Sequence, residues 1–173
     1  MSIDMLIHDK RLIGSPGAIA ENQYSVDGSV PMNHILGWTA AVANRAGGLR
    51  RLYIMCHGFV AADSHRGGWG LQLGKEGLDY STAPLFMSLR NKVRVIVVYA
   101  CKAVDIDAPH GQSGMILWRQ IASYANCNVV ASDSDQVYNF SPIPIDFGKW
   151  EGRVYLIAPN GNRQEIDPDF SLP

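Results

Sequence analysis

The chain has 173 residues, of which 47% are hydrophobic and 18% charged, a size and composition that fit one globular domain and exclude a large modular enzyme or a disordered chain. Fifteen basic and sixteen acidic residues give a formal net charge of −1, so no charge excess favours nucleic acid or an anionic membrane as partner. We predict a single domain over 1–173, with its core over about 31–140 and a trailing strand segment over 141–173.

The cysteines and the N-terminus bear on the compartment. Three cysteines without a CxxC pair fit neither a disulfide framework nor a zinc ribbon, which favours a reducing compartment. The first ten residues include Asp4 and Asp9 and contain no apolar run of signal-peptide length, and no segment approaches the roughly 20 apolar residues of a spanning helix. We therefore expect a cytoplasmic protein without membrane contact.

The first part of the chain passes from irregular to periodic sequence. Glycine, proline and polar residues interrupt 11–29, which predicts irregular chain or short edge strands. Apolar residues then recur at three- and four-residue steps over 31–46 until Gly47 and Gly48, a pattern typical of an amphipathic helix. Segment 49–56 is short and rich in apolar residues, which favours a buried strand.

The later segments predict alternating strands and helices. In chain order they are a hairpin over 69–80, a helix capped by Ser81 or Thr82 and running through Leu89, a strand over 93–100, a helix over 114–125, and strands over 128–132, 136–140 and 153–158. Strands that alternate with helices imply an α/β fold with a mainly parallel sheet covered by helices on both faces.

Two buried-type strands end in residues that carry chemistry. His57 and Gly58 follow the strand over 49–56, and Cys101 follows the strand over 93–100. Parallel strands direct their carboxyl ends to the same edge of a sheet, where ligands and catalytic groups gather. The sequence therefore predicts that an imidazole and a thiol meet as a His-Cys dyad.

The chemistry of such a dyad is specific. A thiol of ordinary pKa is only a few per cent thiolate at neutral pH, so a nucleophilic Cys101 needs a nearby base, which His57 can supply. Gly58 lacks a β-carbon and lets a substrate carbonyl approach the backbone, where the amides of Gly58 and Cys101 could form an oxyanion hole.

The two strand ends, YIMCHG with His57 and VIVVYACKA with Cys101, resemble those of the caspase-like (clan CD) cysteine peptidases, which include caspases, metacaspases, gingipains, separases and CHAT-domain proteases. The resemblance covers about 49–132, under half of the chain. It implies a caspase-haemoglobinase-like three-layer α/β/α fold and a cysteine endopeptidase that cleaves after a selected P1 residue. Tyr99 and Lys102 depart from many relatives, which have an acidic residue or glutamine before the Ala-Cys pair.

The resemblance also implies how a substrate is selected. Asp133 and Asp135 stand where several relatives place the acidic group that pairs with a basic P1 side chain, although the same residues fit an ordinary polar turn. A preference for an acidic P1 residue would need an arginine instead, and Arg66 or Arg119 are the candidates. Trp69, in a glycine-rich turn, is a candidate apolar platform for the substrate. The implied partners are a protein or peptide substrate and, in some family members, a regulatory protein.

Other interpretations compete with the dyad. Cys56 and Cys127 are predicted to be core residues, and the histidines and cysteines lack the spacing of a metal site, so no metal or other cofactor is expected. The alternative function is a catalytically inactive caspase-like interaction module, which would keep the fold and bind a partner without hydrolysis.

Overall fold

Strands dominate the structure and helices connect them. The computed structural model of the protein describes residues 2–59, 70–104, 113–139 and 149–167. The elements in chain order are β1 (Ile3–Asp9), β2 (Asn22–Val26), α1 (Met32–Ala46), β3 (Leu49–Met55), β4 (His57–Phe59), β5 (Gly70–Gln72), a 3₁₀ helix (Ala83–Leu89), β6 (Val93–Tyr99), α2 (Ser113–Ala125), β7 (Asn128–Ser132), β8 (Val154–Ile157) and β9 (Arg163–Ile166).

Seven strands form one sheet in the order β2-β1-β3-β6-β7-β8-β9, while β4 and β5 form a separate antiparallel pair. The first five strands of the sheet run parallel, and β8 and β9 continue it antiparallel. The predicted α/β fold with a mainly parallel sheet is therefore confirmed. The carboxyl ends of all five parallel strands lie along a single edge of the sheet.

Successive side chains of a strand point to opposite faces, so the sheet has two distinct packing surfaces. Leu52 and Ile54 of β3 belong to the main core, to which α1, α2 and the 3₁₀ helix all contribute their buried side chains. On the opposite face Tyr99 stacks against Tyr53 and, at a ring-centroid distance of 4.7 Å, against Trp150. The helices among the described residues thus share one core, and the finer three-layer caspase-like arrangement remains a prediction.

The helix over 31–46 ends as its glycines predict. Gly47 adopts the left-handed conformation with φ of 72°, and the Gly48 amide donates to the Ala43 carbonyl at 2.8 Å, which satisfies the last turn of α1. Within the described ranges, no helix combines the length and apolar character that crossing a membrane requires.

Several predicted elements need correction. The segment after Thr82 forms a 3₁₀ helix, and its start is stabilised not by a cap from Ser81 or Thr82 but by Asp79, whose carboxylate accepts hydrogen bonds from both of their amides. Residues 136–139 of the strand predicted over 136–140 form no strand of the sheet; the Gln136 side-chain amide and the Val137 backbone amide donate to Glu151 instead. Residue 140 lies outside the described residues. The sequence analysis does not predict strands β1, β4 and β9, although β1 lies inside the sheet.

Candidate functional site

The sheet brings the ends of β3 and β6 together. Met55 pairs with Tyr99 in register, and the Cys56 amide donates to the Tyr99 carbonyl at 3.3 Å, so the two strands stay paired to their carboxyl ends. His57 lies two residues after Met55, and Cys101 lies two residues after Tyr99. Both side chains therefore start from the same edge of the sheet, on neighbouring strand ends.

Gly58 lies directly against the backbone of Cys101. A β-carbon built at Gly58 would be 1.9 Å from the Cys101 carbonyl oxygen and 3.3 Å from the Cys101 nitrogen. No side chain fits in that space, so glycine is required for β4 to pass this close to the residue after β6. The contact places the backbones of Gly58 and Cys101 side by side, as an oxyanion hole built from their amides requires.

The pairing of β4 with β5 does not use the Gly58 amide. Gly58 lies opposite Leu71, and Leu71 exchanges both of its backbone hydrogen bonds with Leu78, each at 2.9 Å. In an antiparallel ladder this makes Gly58 and Leu71 a non-hydrogen-bonded pair. The Gly58 amide is therefore not donated to β5.

The ring of His57 is oriented by a backbone carbonyl. His57 is half-buried, and its Nε2 lies 3.1 Å from the carbonyl oxygen of Arg11, in the loop after β1. Because a carbonyl oxygen only accepts hydrogen bonds, Nε2 must carry the proton that is donated. In the neutral imidazole Nδ1 is then the unprotonated nitrogen, and it can accept a proton.

The Cys101 thiol is partly exposed and approaches the loop after β7. Its Sγ donates weakly to the carbonyl oxygen of Gln136 at 3.8 Å. Gln136 is itself buried and donates through Nε2 to the Glu151 carbonyl at 3.0 Å. The sequence predicts Gln136 only as the first residue of a strand over 136–140 and does not predict its contact with Cys101. No sequence signal could have found that contact, because the acceptor is a backbone carbonyl, which every residue has.

The other two cysteines are packing residues, as predicted. Cys56 and Cys127 are 1% and 3% exposed. Burial raises the pKa of the Cys127 thiol to about 12. Burial also raises the pKa of Cys56, and the nearby negative charge of Asp9 raises it further. Of the three thiols, Cys101 alone is not buried.

The two aspartates proposed for substrate selection differ in their surroundings. The Asp133 carboxylate accepts from the Arg153 side chain at 2.6 Å and from the Arg153 amide at 3.0 Å, with its side chain only 6% exposed. The Asp135 side chain is 68% exposed and lies 3.9 Å from Lys102. Asp133 is thus engaged within the loop, whereas Asp135 faces solvent beside the residue that follows Cys101.

The remaining candidates lie elsewhere. Arg119 lines a groove with Tyr124 and Asn160, next to the turn that joins β8 to β9. Since Ile157 of β8 pairs with Val129 near the start of β7, this turn lies at the opposite edge of the sheet from Cys101. Arg119 is therefore not placed to select a substrate at the dyad. Trp69 and Arg66 lie outside the described residues.

No group of three or more potential metal ligands occurs in the described ranges. Comparison with known proteins adds no relative: no protein-family model matches the sequence, and neither the curated proteins nor the solved structures contain a significant match. Conclusions about function therefore depend on the geometry of the site.

Proposed function

We propose that the protein is a cysteine endopeptidase of the caspase-like type, with Cys101 as nucleophile and His57 as acid and base. The observation that carries the proposal is the orientation of His57 by the Arg11 carbonyl, which leaves Nδ1 as the basic nitrogen. His57 and Cys101 follow the paired ends of β3 and β6, at the same edge of the sheet. The glycine that lies against the Cys101 backbone is the second support.

The reaction proceeds in two halves. His57 takes the thiol proton, Cys101 Sγ bonds to the scissile carbonyl carbon, and the resulting oxyanion accepts hydrogen bonds from the Gly58 and Cys101 amides. His57 then gives its proton to the leaving amine as the C–N bond breaks, leaving a thioester. A water molecule gives a proton to His57 and attacks the thioester, and the acid product leaves as the Cys101 thiol is restored.

Substrate selection follows from the charges near Cys101. Asp135 is exposed and beside Lys102, so it is the carboxylate that we assign to a basic P1 side chain, while Asp133 keeps its loop in place through Arg153. An ion pair with an exposed carboxylate contributes about 0.2–1 kcal/mol, or roughly 1.5–5-fold in kcat/KM for a basic P1 residue.

The test is a peptide-library cleavage profile of the wild type beside variants. Cys101→Ala should abolish cleavage, and His57→Ala should lower kcat by on the order of 10²–10⁴-fold, since proton transfer is lost. His34→Ala, at an exposed histidine of α1, is the matched control and should cleave like the wild type. Full activity in Cys101→Ala or His57→Ala would refute the dyad.

The P1 assignment has its own comparison. Asp135→Asn should reduce cleavage after lysine and arginine and leave other cleavage unchanged. Glu165→Gln removes an exposed carboxylate from β9, outside the site. It should change neither cleavage after lysine and arginine nor cleavage after other residues. A wild-type profile without enrichment for basic P1 residues would remove the role of Asp135 and leave the dyad standing.

One observation favours the second candidate, a caspase-like interaction module without activity. The Cys101 thiol donates to the Gln136 carbonyl, which is not a base that could activate it. In such a module Cys101 would have the reactivity of an ordinary exposed thiol, and no peptide in the library would be cleaved.

A further inference from the structure

The loop after β1 contains an ion pair that sequence analysis did not single out. Asp9 is fully buried, and the Arg11 guanidinium donates to both of its carboxylate oxygens, from Nε at 2.8 Å and from Nη2 at 2.6 Å. The amides of Arg11 and Gly74 donate to the same carboxylate at 3.1 and 2.9 Å. A two-pronged contact of this kind fixes geometry as well as charge.

The same arginine ties two segments together. Arg11 Nη2 also donates to the Gly74 carbonyl at 2.8 Å, which joins the loop after β1 to the turn after β5. Gly74 has φ of +62°, and a β-carbon there would be 2.7 Å from the Val30 carbonyl oxygen. The turn can therefore approach Asp9 and Arg11 only with glycine at this position.

These contacts fix one peptide group in particular, the one between Arg11 and Leu12. The N–H of this peptide group, the Leu12 amide, donates to the Asp9 carbonyl at 2.9 Å. The next peptide group is held as well, because its carbonyl, that of Leu12, accepts from His8 Nε2 at 2.8 Å. The oxygen of the Arg11–Leu12 peptide is the one that accepts from His57 Nε2. The orientation of His57 thus depends on a peptide group whose N–H is bound to the Asp9 carbonyl and whose neighbouring peptide group is bound to His8.

We propose that Asp9 and Arg11 are positioning residues for His57: their ion pair holds the Arg11 carbonyl in place and thereby fixes the imidazole as the Nε2–H tautomer, with Nδ1 free as base. The catalytic meaning of this arrangement rests on the proposed function, whereas the tautomer itself does not. Neither side chain touches the reacting atoms, so both act only through the Arg11 carbonyl.

The experiment measures the His57 tautomer directly, by long-range ¹H–¹⁵N NMR on the ¹⁵N-labelled full chain at a pH where the imidazole is neutral. The wild type should give the pattern of a single Nε2–H tautomer. Arg11→Ala, which keeps the carbonyl but removes the guanidinium, should give a mixture of both tautomers. Arg11→Lys keeps one cationic donor and should lie between the two.

The matched control lies at the other end of the same strand. Asp4 of β1 is 5% exposed and is held by Arg50, with Nε and Nη2 each 2.9 Å from a carboxylate oxygen. Arg50→Ala therefore removes an equivalent two-pronged contact from a buried carboxylate of β1, far from His57. The melting temperature of Arg50→Ala should fall, while His57 in this variant keeps the wild-type tautomer.

The outcomes separate this inference from the peptidase proposal. An Nδ1–H tautomer in the wild type, an unchanged tautomer in a folded Arg11→Lys and Arg11→Ala, or an equal change in Arg50→Ala would each overturn the positioning role. If Arg11→Ala does not fold, the wild type, Arg11→Lys and Arg50→Ala still decide. Should the wild type cleave no peptide, the tautomer result stands alone; should it cleave, Arg11→Lys should lower kcat with KM unchanged.

Discussion

At the scale of single residues, glycine decides how closely two backbones approach at the site. Gly58 touches the Cys101 carbonyl, whereas Gly37 in α1 has no atom within 4 Å of the position a β-carbon would take. Substitution by alanine should therefore have opposite effects on stability at the two glycines. The sequence alone does not distinguish them, because the neighbour of Gly58 is 43 positions away, from Gly58 to Cys101.

We predict that Gly58→Ala destabilises the protein by about 1–3 kcal/mol, since the new methyl group must displace the Cys101 backbone. If the proposed peptidase activity is present, cleavage should fall by on the order of 10²-fold, because one proposed oxyanion donor is moved. Gly37→Ala should raise the free energy of unfolding by up to about 1 kcal/mol, as alanine favours a helix interior, and leave cleavage unchanged. Denaturant unfolding and kcat/KM measure both effects, and equal effects of the two substitutions would contradict the close contact at Gly58.

The three cysteines allow a second prediction at this scale. Iodoacetamide at near-neutral pH should alkylate Cys101 far faster than Cys56 and Cys127, because burial raises the pKa of the latter two and hides their sulfur atoms. Peptide mass mapping over time gives the three rates. His57→Ala should slow the Cys101 rate if the imidazole activates the thiol. An unchanged rate in His57→Ala would favour the interaction module.

At the scale of elements, the loops after β6 and β7 support each other. The Lys102 amide donates to the Ser134 carbonyl at 2.9 Å, and the Val104 amide donates to the Ser132 carbonyl at 3.0 Å. Gly152, just before β8, lies against the second of these loops: it has φ of +72°, and a β-carbon there would be 1.9 Å from Ser134 Oγ. The loop that contains Cys101 is thus held by the loop that contains Asp133 and Asp135.

Gly152→Ala should therefore destabilise this pair of loops. Gly161 is the matched control, because it has a similar φ of +82° but open space around the position of a β-carbon. Both substitutions strain the backbone, by about 1 kcal/mol, and Gly152→Ala adds the steric conflict with Ser134. We expect a larger drop in melting temperature for Gly152→Ala than for Gly161→Ala, and reduced cleavage only for Gly152→Ala. Equal melting temperatures would show that the loops adjust without cost.

At the scale of the whole molecule, Asp9 of β1 links the stability of the fold at low pH to the candidate site. Burial alone would raise the pKa of Asp9, but the hydrogen bonds from Arg11 and Gly74 outweigh it, and the pKa lies below its ordinary value of 3.8. Asp9 thus stabilises the folded state at pH values above about 4, and this contribution is lost as the pH falls through the lower folded pKa.

The free energy of unfolding should accordingly fall as the pH drops from 5 to 3, and the fall should be shallower in Asp9→Asn, which has no carboxyl to protonate at this position. Denaturant unfolding at a series of pH values measures both slopes. Parallel curves for the wild type and the variant would mean that Asp9 titrates alike in the folded and unfolded chain.

The sequence by itself determined the elements whose residues follow a clear period or form a continuous apolar run. These are α1, α2, β3, β6 and β7, together with the placement of His57 and Cys101 after two of the strands. The sequence does not predict β1, because three of its seven residues, Asp4, His8 and Asp9, are ionisable and interrupt the apolar pattern of a buried strand. Each of these side chains is buried against partners that only the folded chain supplies.

The tertiary structure alone decided how the candidate site is supported. The Arg11 carbonyl that orients His57, the Asp9 and Gly74 groups that hold it, and the Gln136 carbonyl beside Cys101 come from separate segments of the chain. No local pattern encodes such contacts, because a backbone carbonyl is the same in every residue and its partner is set by strand order and register. The sequence thus determined where His57 and Cys101 stand relative to the strands, and the sheet decided which backbone atoms contact them.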